Sequence, residues 1–219
     1  MENGFTDVIQ EVDFNLPRSN HVAQVKEIAD AMGSSEWAFA PTLIGTPGEQ
    51  WRNLRKEESV LHTNDSPLHS NPAYGIGLIS KIPVKKWHRV DLGKSRIGMP
   101  LTIAKKNGVG IAYVKDEPRV AIIAELSNGF NIAVTHLSFV PLFNLRQLWR
   151  VKKWALKLAS ETNTRVIVVG DLNLPFGIPT RASHWKSLAI ENSYPSWGPS
   201  IQFDYILSPD MAYGEFVKL

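Results

Sequence analysis

The chain has 219 residues, 43% of them apolar and 10% aromatic, enough to bury a full core and suggesting one domain. A formal charge of +3 admits anionic partners without the dense basic face of a dedicated nucleic-acid binder. Cysteine is absent, which excludes disulfides and thiolate metal sites. With no apolar run of about 18 residues and no basic-then-apolar opening segment, a cytoplasmic chain without a membrane span is expected.

From the N-terminus, Val8-Ile9 is a short apolar run that ends in Gln10-Glu11-Val12-Asp13. Residues 19–32 carry Val22, Val25, Ile28, Ala29 and Met32 on one helical stripe, with Gly33 as the stop. Residues 45–72, rich in Gly, Pro, Ser, Asn and His, predict a long irregular loop of the kind that often carries function. Strands are expected at 74–80, 101–104, 110–115, 119–126 and 130–135, with Asn107-Gly108 and Asn128-Gly129 as hairpin turns. Asn144 is placed to cap a helix over 145–159, with Leu148, Val151, Ala155 and Leu158 inward. A buried strand follows at 165–169, and another surrounds Ile206-Leu207. Lys85, Lys86, His88, Arg89, Lys94 and Arg96 form one basic stretch, and Arg146, Arg150, Lys152, Lys153 and Lys157 another; both read as solvated faces.

Four apolar runs end in or contain polar motifs: Gln10-Glu11-Val12-Asp13, Thr135-His136-Leu137-Ser138, Gly170-Asp171-Leu172-Asn173 and Phe203-Asp204-Tyr205. Charged groups at the ends of buried strands need partners, so four such motifs imply one shared polar site. Glu11, Asp171 and Asp204 are hard oxygen donors, which favour Mg²⁺, Mn²⁺ or Ca²⁺ over structural zinc. Asp171 and Asn173 stand two apart and point to the same side of an extended chain. A carboxylate and an amide aimed at one point suit a nucleophilic water, and metal, oriented water and histidine together suit phosphoester hydrolysis. Taken singly, each motif has a plainer reading: a polar strand end, an Asx turn at Asp171 to Asn173, a satisfied core histidine, a solvent-facing strand Asp.

These motifs, with Tyr74-Gly75-Ile76-Gly77-Leu78-Ile79-Ser80-Lys81-Ile82-Pro83 between the first two, stand in an order that resembles the endonuclease/exonuclease/phosphatase superfamily from about residue 5 to residue 208. The resemblance implies an α/β (α+β) fold of deoxyribonuclease-I type: a four-layer sandwich of two packed mixed β-sheets flanked by helices, in one domain over 1–219. It also implies a phosphoesterase using Mg²⁺ (or Mn²⁺). Glu11 would ligate the metal, Asp171 would orient or deprotonate the attacking water, and Asn173 would position water and phosphate. His136 would hydrogen-bond a phosphoryl oxygen, and Asp204 would orient a second histidine. The expected substrate is a phosphodiester or phosphomonoester, with nucleic acid among the candidates, and a monomer is expected. Two departures stand out: the family's opening Trp-Asn strand and its closing Ser-Asp-His have no counterpart here. The chain therefore reads as truncated at both ends, and the alternative to an enzyme is a family remnant that binds phosphate or a partner. Asp13, where the abasic-site endonucleases carry Lys, weighs against that branch.

Overall fold

The computed structural model describes residues 6–66, 71–105, 108–181 and 183–211. The first sheet begins with β1 (Thr6–Phe14), followed by α1 (Gln24–Met32), β2 (Glu36–Gly45), β3 (Trp51–Asn53), β4 (His62–Thr63) and β5 (Ala73–Ser80). Its strand order is β1-β5-β2-β3, with β4 also on β2, and its pairings are antiparallel. Next come β6 (Val84–Gly93), a separate hairpin of β7 (Met99–Lys105) and β8 (Gly108–Val114), then β9 (Arg119–Leu126) and β10 (Phe130–Thr135). After α2 (Phe143–Thr162) follow β11 (Arg165–Asp171), β12 (Lys186–Ser187) and β13 (Asp204–Ser208). The second sheet runs β12-β13-β11-β10-β9-β6. Its β10 and β11 are parallel because the α2 crossover joins them, while its other neighbours pair antiparallel.

Period-two burial sorts side chains into three apolar layers. Ala38, Ala40, Ile76 and Leu78 of the first sheet meet Val120, Ile122, Ala124, Ile132, Val134 and Ile167 of the second, forming the middle core. The intervening residues face outward: Trp37, Phe39 and Ile79 pack on Val25 and Ala29 of α1. On the far side, Ala121, Ile123, Ala133, Val166 and Val168 pack on Leu148, Val151, Ala155 and Leu158 of α2. The order helix, sheet, sheet, helix is the four-layer sandwich expected. Gly77 permits the α1 contact, since a Cβ there would stand 2.4 Å from Val25 Cγ2.

Several elements differ from the sequence reading. The first helix starts at Gln24, not residue 19, because Pro17–Ser19 forms a 3₁₀ turn and Phe14 bridges Ala23. Gly33 ends it as expected, at φ +64°. Residues 45–72 are not irregular throughout: β3 and β4 edge the first sheet, and buried Glu58 takes a two-pronged contact from Arg52 at 2.7 Å on each side. Both β2 and β6 went unread. Asn144 does not cap α2; Leu142 holds the cap position at φ +65°, and Asn144 is buried as the second residue of the helix. Asn107 lies outside the described residues, although pairing runs as far as Lys105 opposite Gly108.

Candidate active site

The first polar motif sits on a break in a strand. Pairing of β1 with β5 slips between Ile9 and Val12, leaving Gln10 and Glu11 as a bulge, with Glu11 at φ +56°. Bulges of this kind re-aim side chains. Gln10 Oε1 accepts a hydrogen bond of 3.0 Å from the backbone N–H of Asp171, reaching from the first sheet to the second. Glu11 is thrown outward, its side chain 65% exposed, so that Oε1 lies 3.9 Å from His136 Nδ1.

His136 follows β10 and its side chain is only 11% exposed. Its Nε2 stands 3.7 Å from Asp171 Oδ2, so the ring separates the two carboxylates without a direct hydrogen bond to either. Burial first, and then the positive charge of Arg119, push its pKa well below the usual histidine value. The imidazole is neutral at pH 7.

Asp171 closes β11, where Gly170 at φ +143° turns the chain; a Cβ there would fall 1.8 Å from the Thr135 carbonyl oxygen. Asp171 Oδ1 accepts from the Asn173 N–H at 2.8 Å, so the Asx turn of the plain reading is present. It leaves Oδ2 facing the histidine. Asn173, at φ +49°, donates through Nδ2 to the Leu137 carbonyl at 2.9 Å, and its own carbonyl accepts from Asn144 Nδ2 at 2.9 Å. Asp204 is the cross-strand partner of Asp171 and is exposed. Burial lifts the Asp171 pKa to about 6, with Asp204 and Glu11 adding to the rise and the Asn173 N–H and Arg119 opposing it.

The five residues named from sequence therefore gather where the bulge of β1 meets the C-terminal ends of β10 and β11 and the start of β13. Three more groups at this place went unread. Arg119, at the start of β9, is 8% exposed, its Nε makes no hydrogen bond, and its charge acts on His136, Asp171, Tyr74 and Glu117. Tyr74 is buried and hydrogen-bonds Glu11; desolvation and the acidic neighbours push its hydroxyl pKa up. Glu117 is lifted by burial and by the Glu11 and Asp116 charges, against Arg119. The signal that exposed the other motifs, a charge at the end of an apolar run, was also present in Glu117-Pro118-Arg119.

The oxygen donors suit a hard cation, but among the described residues no three of His, Asp and Glu are arranged to hold a metal ion. Of the hard cations, a largely hydrated Mg²⁺ makes the smallest demand on such a sparse donor set, since that ion keeps several waters and takes one or two carboxylates plus substrate phosphate. Among the described residues, no helix is long and apolar enough to cross a membrane.

The sequence model described as the Endonuclease/Exonuclease/phosphatase family matches residues 8–213. No curated protein matches the chain. Among solved structures, the human Nocturnin catalytic domain with bound sulfate anion superposes with a TM-score of 0.53 at 17% identity, over 94% of this chain and 69% of that one. An endonuclease/exonuclease/phosphatase protein from Beutenbergia cavernae DSM 12333 gives 0.51 at 17% identity, over 93% of this chain and 54% of its own. ANGEL2, a 2',3'-cyclic phosphatase, gives 0.50 at 12% identity, over 95% and 70%. Identities this low speak for a shared fold. The chain spans 54 to 70% of the lengths of these three.

Proposed function

Because the chain belongs to the endonuclease/exonuclease/phosphatase family, we propose that it is a divalent-metal-dependent phosphoesterase that cleaves a phosphodiester or phosphomonoester by attack of an oriented water. The observation that carries this reading is the placement of His136 between Glu11 and Asp171, at 3.9 and 3.7 Å.

In this reading Asp171 is the base. A pKa of about 6 lies near neutral working pH, where a carboxylate is both ionised and basic enough to take a proton. Its Oδ1 is committed to the Asn173 N–H, so Oδ2 receives the proton from water as the water oxygen bonds to phosphorus and the ester P–O bond breaks, the leaving oxygen taking a proton from solvent. Asn173 spends one amide hydrogen on the Leu137 carbonyl and keeps the other, with Oδ1, to fix that water. Neutral His136 carries one ring N–H, which donates to a phosphoryl oxygen and meets the charge that develops there. Glu11 holds Mg²⁺ or Mn²⁺, which when bound polarises the phosphoryl group as a Lewis acid. Asp204 acts through Asp171, raising its basicity across the β11·β13 pair.

The test is hydrolysis of a panel (bis-p-nitrophenyl phosphate, p-nitrophenyl phosphate, plasmid DNA, RNA oligomers and sphingomyelin) with Mg²⁺, with Mn²⁺ and with chelator. Activity on at least one member is expected, lost in chelator and reduced about 10²- to 10⁴-fold by His136→Ala or Asp171→Asn. Hydrolysis indifferent to both chelator and these substitutions would refute the assignment, as would its absence across the whole panel.

A further inference from the structure

The geometry points to a second binding surface on this chain, a docking stripe for single-stranded nucleic acid along the outer face of α2. The helix sequence holds five cations, Arg146, Arg150, Lys152, Lys153 and Lys157, against one anion, Glu161. Arg146, Arg150, Lys153 and Lys157 recur every three or four residues and so share one face. With Trp149 and Trp154 they line an open cleft of about 390 Å³.

Trp154 packs against the edge of the core beneath α2, but Trp149, among four cations, is not explained by packing. The inward side of α2, Leu148, Val151, Ala155 and Leu158, already fills the core against the second sheet. Trp149 is 63% exposed, with Lys153 Nζ held 5.0 Å above its ring. Trp154 stands edge-on to His88, whose Nε2 meets Glu125, so the acidic group behind the cleft is already engaged. Lys157 has a loose, exposed contact of 3.7 Å with Glu161. Among the described residues no carboxylate is within ion-pair distance of Arg146, Arg150 or Lys153. The face is thus short of negative charge and carries a flat ring in reach of solvent.

Phosphates spaced along a strand supply that charge, and bases supply the partner for the ring. From Arg146 to Lys157 the stripe is roughly 16 Å long at 1.5 Å rise per residue, about five nucleotides at the stacked spacing of one strand. Cations tracking a backbone beside an aromatic platform are the usual means of holding single strands without sequence preference. A lipid surface fits less well, because an interfacial helix turns its apolar face to the bilayer and here that face is buried in the core. None of these residues belongs to the candidate active site, so the inference stands apart from the phosphoesterase reading.

The experiment is fluorescence anisotropy of the full chain with labelled oligo-dT and oligo-rU of about twelve nucleotides, in chelator so that nothing is cleaved, across a salt series. Expected is binding that weakens with salt. Arg150→Ala with Lys153→Ala should flatten the log–log salt slope by about 0.7 for each phosphate that the variant no longer neutralises. Trp149→Ala should weaken binding by between about fivefold and a hundredfold, with affinity largely restored by Trp149→Phe. These three positions are exposed, and circular dichroism melting confirms that each variant is folded. No binding by the wild type at low salt, or equal affinity in the double variant and in Trp149→Ala, would overturn the proposal. So would affinity for phosphatidylserine vesicles that these substitutions abolish while oligonucleotides do not bind.

Discussion

Replacing Asp171 with Asn should stabilise the protein at neutral pH while removing hydrolysis. Burial, with help from the Asp204 and Glu11 charges, lifts this carboxyl from 3.8 to about 6. A rise of roughly two units corresponds to about 3 kcal/mol of penalty on the ionised form. The side chain is 25% exposed, and solvent screening leaves on the order of 1–2 kcal/mol. Because the folded pKa of an acid is raised, the native state binds more protons than the unfolded state between pH 4 and 6, and stability falls as pH rises through that window. Asn cannot ionise, yet its side-chain oxygen can still accept from the Asn173 N–H. The gain from Asp171→Asn should therefore be absent near pH 4, grow through pH 6 and stay level above pH 7. Urea unfolding of both proteins in chelator, from pH 4 to pH 8, measures it. A variant less stable than wild type at pH 8, or a difference that does not change with pH, would refute the reasoning.

Arg119→Gln should raise the Asp171 pKa further and let His136 protonate more readily, since the arginine opposes both; the acid limb of the pH–rate profile and the His136 ring signals in NMR should move to higher pH. Gly170→Ala should cost about 3 kcal/mol or more in urea unfolding, because the new Cβ meets a backbone carbonyl at 1.8 Å that cannot swing aside. Glu58 is held at a pKa of about 2 by the Arg52 guanidinium and then the Arg55 N–H. The stability of that contact is present above pH 4.5 and lost as pH falls toward 2, so Glu58→Gln should lower the melting temperature at pH 7 and have little effect near pH 2.

Where sequence and structure agree, a local rule and the global fold gave the same answer. β9 and β10 were legible because their apolar runs are bounded by turn residues and buried on both faces. β2 was missed because Pro41 stands in its middle; the strand accommodates it at a register shift between Pro41 and Leu43. β6 was missed because Lys85 and Lys86 dominate its start, and only its far end, Val90 and Leu92, is buried. Glu11, His136, Asp171, Asn173 and Asp204 could be read because each belongs to a short motif in a recognisable order. Glu117-Pro118-Arg119 abuts an apolar run but matches none of those ordered motifs, and the proximity of Arg119 to His136 and Asp171 is set by the pairing of strands and not by the local sequence. Asn144 shows the same limit: a good capping residue by local rules, it serves instead as a tie to the Asn173 backbone.

The bond from Gln10 to the Asp171 amide joins one sheet to the other, so the spacing of Glu11 and Asp171 is a property of the seam between the two halves of the sandwich. That seam is lined by small side chains, Ala38, Ala40 and Ala124, which let the sheets approach closely. Enlarging any of them acts as a wedge: the halves part by a fraction of an ångström while each keeps its own hydrogen-bond ladder. Such a variant would melt lower, since these alanines are fully buried and overpacking typically costs about 1–3 kcal/mol, and the spacing of Glu11 and Asp171 would change with it, through alanines that never touch a substrate.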